Sequence, residues 1–256
     1  MRTVDELREA VEAYLRTLPF APELGRLEQV IRYALESGGK RIRPVLCLAV
    51  AEAAGGEVED ALPAAAAVEL VHTFSLVHDD LPSMDDDAER RGRPSAHAAF
   101  GEGVALLAGD ALLAEAFSLA LSYEDPRVAR ELVDATLGMI AGQHRDITGD
   151  SADLAEVERL KTGRLFSAAV GLGLRAANTR DDEQALWRDF GDELGLLFQV
   201  IDDILDGDGF ADRLGIEAAR GLAEAAAART HERLAAIPAD TSVLRELVDG
   251  LAVRTA

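Results

Sequence analysis

The stretch Ser75–Gly92, SLVHDDLPSMDDDAERRG, places five aspartates within nine positions and follows them with a glutamate and a run of arginines. Like charges at that density repel, and a fold that gathers them needs a cation to hold them. The apolar run Val68–Asp80 before it has helical periodicity, and Pro82 breaks the helix just beyond His78-Asp79-Asp80. Asp79 and Asp85 are out of line on a straight helix and converge only if the LPSM segment turns. A second cluster, Gln199-Val200-Ile201-Asp202-Asp203-Ile204-Leu205-Asp206, closes another long apolar helix. There Asp202 and Asp206 are i, i+4 and Asp203 and Asp206 are i, i+3, so the carboxylates share a face at a C-terminal end. The helix dipole already disfavours negative charge at such an end. Two such ends facing each other across a bundle form an acidic cavity suited to Mg²⁺ ions, with waters and phosphate oxygens as the remaining ligands.

The rest of the chain supports a bundle. Alanine, leucine, glutamate and arginine dominate, apolar residues recur at i, i+3 and i+4, and no sustained period-2 alternation is present. The pattern predicts helices over Val4–Leu18, Pro22–Ser37, Pro44–Ala54, Ala61–Asp80, Ala105–Ser122, Pro126–Gly149, Leu154–Leu160, Leu165–Ala177, Glu183–Asp206, Leu214–Ile237 and Ser242–Val253. Thr3 and Asp181 read as N-caps, and Gly38-Gly39 and Gly55-Gly56 follow last turns. No linker rich in proline, glycine or serine divides the chain, which predicts one all-α domain over residues 1–256.

The 256 residues are 48% hydrophobic, enough for a sizeable core, and carry a formal net charge of −21. That balance argues against nucleic acid and against an anionic membrane surface as partners. Cys47 is the single cysteine, so no internal disulfide is expected and a reducing compartment fits. The acidic, amphipathic start MRTVDELREAVEAYL does not read as a signal or transit peptide. No uninterrupted apolar run is long enough to span a bilayer, which predicts a soluble, cytoplasmic protein without an integral membrane segment.

Phosphates require cations, and loops beside the aspartate clusters supply them. Of the 26 basic residues only Lys40 and Lys161 are lysine. In a chain that otherwise uses arginine, these two mark places where a compact ammonium is wanted. Both fall in short glycine-containing turns: Gly38-Gly39-Lys40-Arg41-Ile42-Arg43-Pro44 and Lys161-Thr162-Gly163-Arg164. Backbone amides and cationic side chains can converge there on an anion. Arg90-Arg91-Gly92-Arg93-Pro94 closes the first cluster in the same style. Each alone reads equally as a solvated loop; the set does not.

The ordered combination GGKRIRP, ELVHTFSLVHDDLPSMDDD with RRGRP, LAGDALL, KTG and LFQVIDDILD resembles the trans-isoprenyl diphosphate synthase family, short-chain farnesyl and geranylgeranyl type. The resemblance implies an isoprenoid synthase-like bundle around a central active-site cavity, a homodimer, and dependence on several Mg²⁺ ions bound with the allylic diphosphate. It implies head-to-tail condensation of isopentenyl diphosphate with an allylic diphosphate. Carried over by motif, Asp79, Asp85 and Asp202 would hold metal, with Asp80, Asp203 and Asp206 supporting them. Arg90, Lys161, Thr162 and Gln199 would hold the allylic diphosphate, and Lys40, Arg43, His72 and Arg91 the isopentenyl diphosphate. Gln143 and Asp146 would line the cavity, and Phe74 with Ser75 would bear on product length. The released diphosphate would serve as the final base. One departure stands out. After the second cluster the chain runs DGDGFADRLGIEAARGLAEAA, shorter than the family pattern between Gly207 and Leu214 and without its lysines. This keeps a catalytically impaired paralogue or regulatory subunit as the alternative. A terpenoid cyclase is disfavoured, because GGKRIRP and His72 would then have no second diphosphate to bind.

Overall fold

The computed structural model describes residues 1–149, 154–207 and 209–252. In chain order the α-helices are α1 (Val4–Thr17), α2 (Leu27–Leu35), α3 (Ile42–Ala53), α4 (Val58–Asp79), α5 (Ala96–Phe100), α6 (Glu102–Ala120), α7 (Pro126–Thr148), α8 (Leu154–Glu158), α9 (Arg164–Ala176), α10 (Ala185–Asp206), α11 (Gly209–Leu214), α12 (Ile216–Ala236) and α13 (Ser242–Ala252). The predicted all-α class is what forms. Among the described residues the strand content is one two-residue antiparallel pair, β1 (Glu89–Arg90) with β2 (Arg93–Pro94), which folds the arginine run after the first aspartate cluster into a hairpin.

The bundle is organised on α4, which packs against α3, α6 and α9, while α10 packs on α9 and α12. Ala64–Val68, Leu70 and Val71 are all buried, so α4 is apolar nearly all round and belongs inside. Its start lies earlier than the sequence pattern suggests, because Pro63 does not end it. The Tyr123 hydroxyl enters the helix ladder there: it donates to the Asp60 carbonyl at 2.6 Å and accepts the Ala64 amide at 3.1 Å. A proline-disturbed pair is thus satisfied by an inserted side chain. At α1 the predicted Thr3 cap is present as a capping box, with Thr3 N donating to Glu6 Oε2 at 2.8 Å and Glu6 N to Thr3 Oγ1 at 3.2 Å.

Other boundaries differ for local reasons. The predicted Pro22–Ser37 helix splits into a 3₁₀ turn at Pro22–Leu24 and α2, separated by Gly25 at φ +52°. Asp181 does not cap α10: it opens a 3₁₀ turn, Asp181–Glu183, and Gln184 sits at the helix start. Glu102 begins α6 ahead of the predicted Ala105, and α5 adds a turn before it. Leu154–Leu160 ends in a π-turn, Arg159–Gly163, that carries Lys161. The predicted Leu214–Ile237 helix is interrupted by Gly215 at φ +84°, which separates α11 from α12. Val253, the predicted end of the last helix, and Asp208, within the shortened 207–214 segment, lie outside the described residues. The absence of a continuous apolar run also proved a poor guide to hydrophobic length. α4 and α6 are each long and apolar enough to cross a membrane, with 67% of that window buried in α4 and 39% in α6.

Candidate active site

Four segments meet at one end of the bundle: the loop between α2 and α3, the end of α4 with its turn and hairpin, the π-turn before α9, and the end of α10. The loop is fixed by Arg41, which the sequence grouped with its anion-binding neighbours. Arg41 takes the left-handed conformation (φ +49°) and turns inward, donating from Nε to Glu12 Oε1 and from Nη1 to Glu69 Oε1, both at 2.6 Å. Both partners of the second pair are buried, Arg41 at 5% and Glu69 at 3% exposed. Burial of charge is tolerated only with such pairing. The glutamate inside the apolar run AAAAVELVHTF is the signal that could have announced it.

Arg41 is thus held by two glutamates, with Lys40 and Arg43 on either side of it in the loop. Arg41 and Glu69, together with Lys40, Arg43, His72, Arg91 and Asp202, line one cavity of about 470 Å³, closed by Leu76 and Phe198. The Arg43 guanidinium stacks over Phe166 at 4.5 Å and Phe198 at 5.4 Å, contacts that a sequence scan for charged motifs misses. Its Nε is shielded from solvent and has no hydrogen-bond partner among the described residues. Burial, with the nearby Arg91 charge, brings its pKa down to about 10 against the pull of Glu69 and Asp202. His72 is held well below its usual value, first by burial and then by Arg43 and Arg91, so it is neutral near pH 7. The Arg91 pKa is lowered by burial and by Arg41 and Arg90. Guanidinium groups around a neutral imidazole have the chemistry to receive an anion.

The aspartate side is arranged differently. The LPSM segment does turn: the Asp85 amide donates to the Asp79 carbonyl at 2.9 Å, and those of Met84 and Asp86 to Leu81 at 2.8 and 3.1 Å. Asp79 accepts from Gln143 Nε2 at 3.0 Å, and burial, with Asp85 and Asp80 adding repulsion, pushes its carboxyl up to about 6. Asp80 is buried and bound by Arg90, whose Nε donates to Asp80 Oδ1 at 2.9 Å. Arg90, Arg91, Asp80 and His72 line a second, smaller pocket beside the first. Lys161 Nζ lies 2.5 Å from Asp146 Oδ2. Its π-turn sits hard against α7, where a Cβ on Gly142 would stand 2.5 Å from the Lys161 amide nitrogen; only glycine permits that approach. Asp85 and Asp206 are exposed, and Thr162 is partly buried in the same turn as Lys161.

Two residues of the second motif face elsewhere. Asp203 accepts from Gln199 Nε2 and, through Oδ2, from the Phe210 amide at 2.7 Å, so it ties the end of α10 to the start of α11. Gln199 lines a separate cleft with Glu158, Arg164 and Arg233. Ser75 Oγ turns back to the His72 carbonyl at 2.9 Å, while Phe74, 8% exposed, stands edge-on to His78. Among the described residues no three His, Cys, Asp or Glu side chains converge to hold a metal ion. Asp79, Asp85 and Asp202 therefore do not form a preassembled cage.

An all-α bundle with a guanidinium-lined cavity beside two aspartate-bearing helix ends has the chemistry for diphosphate-bearing ligands. The comparisons with known proteins agree. The sequence matches the polyprenyl synthetase family over residues 25–241, and the chain belongs to that family. It is 46% identical to the heterodimeric geranylgeranyl pyrophosphate synthase large subunit 1, chloroplastic, of Arabidopsis thaliana over 77% of this chain and 58% of that one. It is 39% identical to the farnesyl diphosphate synthase of Geobacillus stearothermophilus over 83% of this chain and 77% of that one. The chain thus spans 58% of the length of the first of these relatives. A crystal structure of an FPP/GFPP synthase from Zymomonas mobilis superimposes with a TM-score of 0.86 at 31% identity, covering 97% of both chains.

Proposed function

We propose that the chain is a single-domain short-chain isoprenyl diphosphate synthase. It condenses isopentenyl diphosphate with a dimethylallyl, geranyl or farnesyl diphosphate, giving farnesyl or geranylgeranyl diphosphate. The observation that carries this reading is the cavity that joins Lys40, Arg43, His72 and Arg91 to Asp202. It is a second anion site beside the aspartate clusters, which a cyclase acting on one diphosphate would not need.

The cavity would receive isopentenyl diphosphate. Arg43 and Arg91 neutralise the phosphate oxygens, Lys40 adds an exposed ammonium at the rim, and neutral His72 orients them without a further charge. Asp202, which lines that cavity, would hold Mg²⁺ together with Asp79 and Asp85, with Asp80 and Asp206 supporting them. The donor set fits that ion, being all carboxylate oxygen, and the Asp79 carboxyl sits near pKa 6 because burial and Asp85 disfavour its charge. Bound Mg²⁺ supplies charge stabilisation for the departing allylic diphosphate. Lys161 is poised by Asp146, and Arg90 by Asp80, to take the allylic phosphate oxygens, with Thr162 in reach on the same turn. Gln199 and Asp203 would act through the α10–α11 junction rather than on the phosphates, which revises the role their motif suggests. Gln143 positions Asp79, and Phe74 with Ser75 bounds the pocket that receives the growing chain.

A homodimer belongs to the same proposal. Val104, Leu106 and Leu107 on α6 and Leu137, Ile140 and Ile147 on α7 are exposed apolar side chains on two helices that pack together. A second copy covering them would account for the poor burial of α6. The reducing, cytoplasmic setting read from buried Cys47 is also part of the proposal, although the names of some relatives place those proteins in chloroplasts.

The alternative of an impaired or regulatory subunit rests on the short 207–214 segment, where Arg213 is the nearby cation. Incubation with Mg²⁺, isopentenyl diphosphate and each allylic primer in turn, followed by sizing of the products, separates the two. Elongation of at least one primer is expected. No elongation with any primer would favour the alternative.

A further inference from the structure

Phe74 and His78 lie one turn apart on α4, so their side chains share a face. The His78 ring stands edge-on to Phe74, with centroids 4.9 Å apart at 73°. Its Nε2 is 3.0 Å from the Leu106 carbonyl oxygen of α6. A carbonyl only accepts, so Nε2 carries the proton and donates it there. The ring also fills space that exists because residue 109 is glycine: a Cβ on Gly109 would stand 2.2 Å from His78 Nε2 and 2.3 Å from Cδ2. Two separate features of α6, a carbonyl that anchors the imidazole and a missing Cβ that admits it, therefore fix one side chain of α4. Asp110, at 3.9 Å from Nε2, closes the same corner.

The consequence falls on Phe74. Five residues of helix put it about 7.5 Å along the axis from Asp79. A ring at that depth yields to a lengthening hydrocarbon by changing rotamer. The His78 ring packs edge-on against it.

We propose that His78 is a positioning residue for product length: seated on the Leu106 carbonyl and in the Gly109 gap, it holds the Phe74 ring in place across the end of the product pocket. This rests on reading Phe74 as the floor of that pocket. His78 does not touch the reacting atoms and acts only through Phe74.

The test measures product-length distribution with isopentenyl diphosphate and a dimethylallyl or geranyl primer. Phe74→Ala sets the reference and lengthens the main product by at least one five-carbon unit. His78→Ala shifts the distribution the same way, and Gly109→Ala, which evicts the imidazole without altering α4, reproduces the shift. If His78→Ala fails to fold, Gly109→Ala carries the test. Lengthening in Phe74→Ala with unchanged length in the other variants overturns the role of His78 and leaves the floor standing, whether or not their rates fall. Unchanged length in Phe74→Ala overturns the floor reading, and with it the inference.

Discussion

The two sides of the site solve opposite electrostatic problems. On the α2–α3 side, like-charged guanidinium groups are held close together, because Glu69 and Glu12 anchor Arg41 and Phe166 and Phe198 face Arg43. On the aspartate side Asp80 and Asp85 repel Asp79, and three carboxylates are met one by one by a neutral or cationic neighbour: Asp79 by Gln143, Asp80 by Arg90, and Asp146 by Lys161. Protein groups alone can prebuild a cationic pocket, since arginine stacks on aromatic rings and tolerates partial burial. A ring of carboxylates is harder to prebuild, because like charges repel until a cation is bound.

The largest expected effect comes from breaking the aspartate side. Asp79→Ala or Asp202→Ala should lower turnover by about 10³-fold or more, as expected when several kcal/mol of metal-derived stabilisation are lost. The melting temperature should change little, and near-wild-type steady-state rates would refute the metal assignment. Next is the anchor of the cationic side. Glu69→Gln leaves the buried Arg41 charge short of a partner and should cost roughly 3–5 kcal/mol in denaturant unfolding. A loss below 1 kcal/mol would show that Glu12 alone suffices. Arg43→Met keeps the packing on Phe166 and Phe198 but removes the charge. It should raise KM for isopentenyl diphosphate by about 10- to 100-fold, the worth of a charged hydrogen bond. KM for the allylic substrate should barely move, and equal changes in both would erase the distinction between the two sides. The smallest effect is expected at Tyr123→Phe, which removes the hydroxyl spliced into α4 and should lower stability by about 1–3 kcal/mol.

Much of this was legible in the sequence, and the limits are physical. The helices and the two acidic ends follow from periodicity and from proline and glycine punctuation, which act locally. The grouping of Lys40, Arg43, His72 and Arg91 was read from motif order, and the shared cavity is consistent with it. What the motif does not disclose is that Arg41, though it lines the same cavity, is tied by its side chain to Glu12 and Glu69, because residues adjacent on a turn share a charge but not their partners. Gln199 and Asp203 belong to the same motif as Asp202, yet a helix turns about 100° per residue, and Asp203 faces α11. The Phe166–Arg43–Phe198 stack and the Tyr123 insertion join residues far apart in the chain, with apolar or isolated side chains that carry no motif.

The contrast between a prebuilt cationic pocket and an unassembled acidic one is tested most directly by calorimetric titration of the wild-type chain with each substrate class, with Mg²⁺ and with excess EDTA. Isopentenyl diphosphate should bind with a Kd that shifts by no more than about threefold when metal is removed, well under 1 kcal/mol. A non-ionisable allylic diphosphate analogue should lose about 100-fold or more in affinity, roughly 2.7 kcal/mol. Equal metal dependence for both ligands, or metal-independent binding of the allylic analogue, would contradict the account.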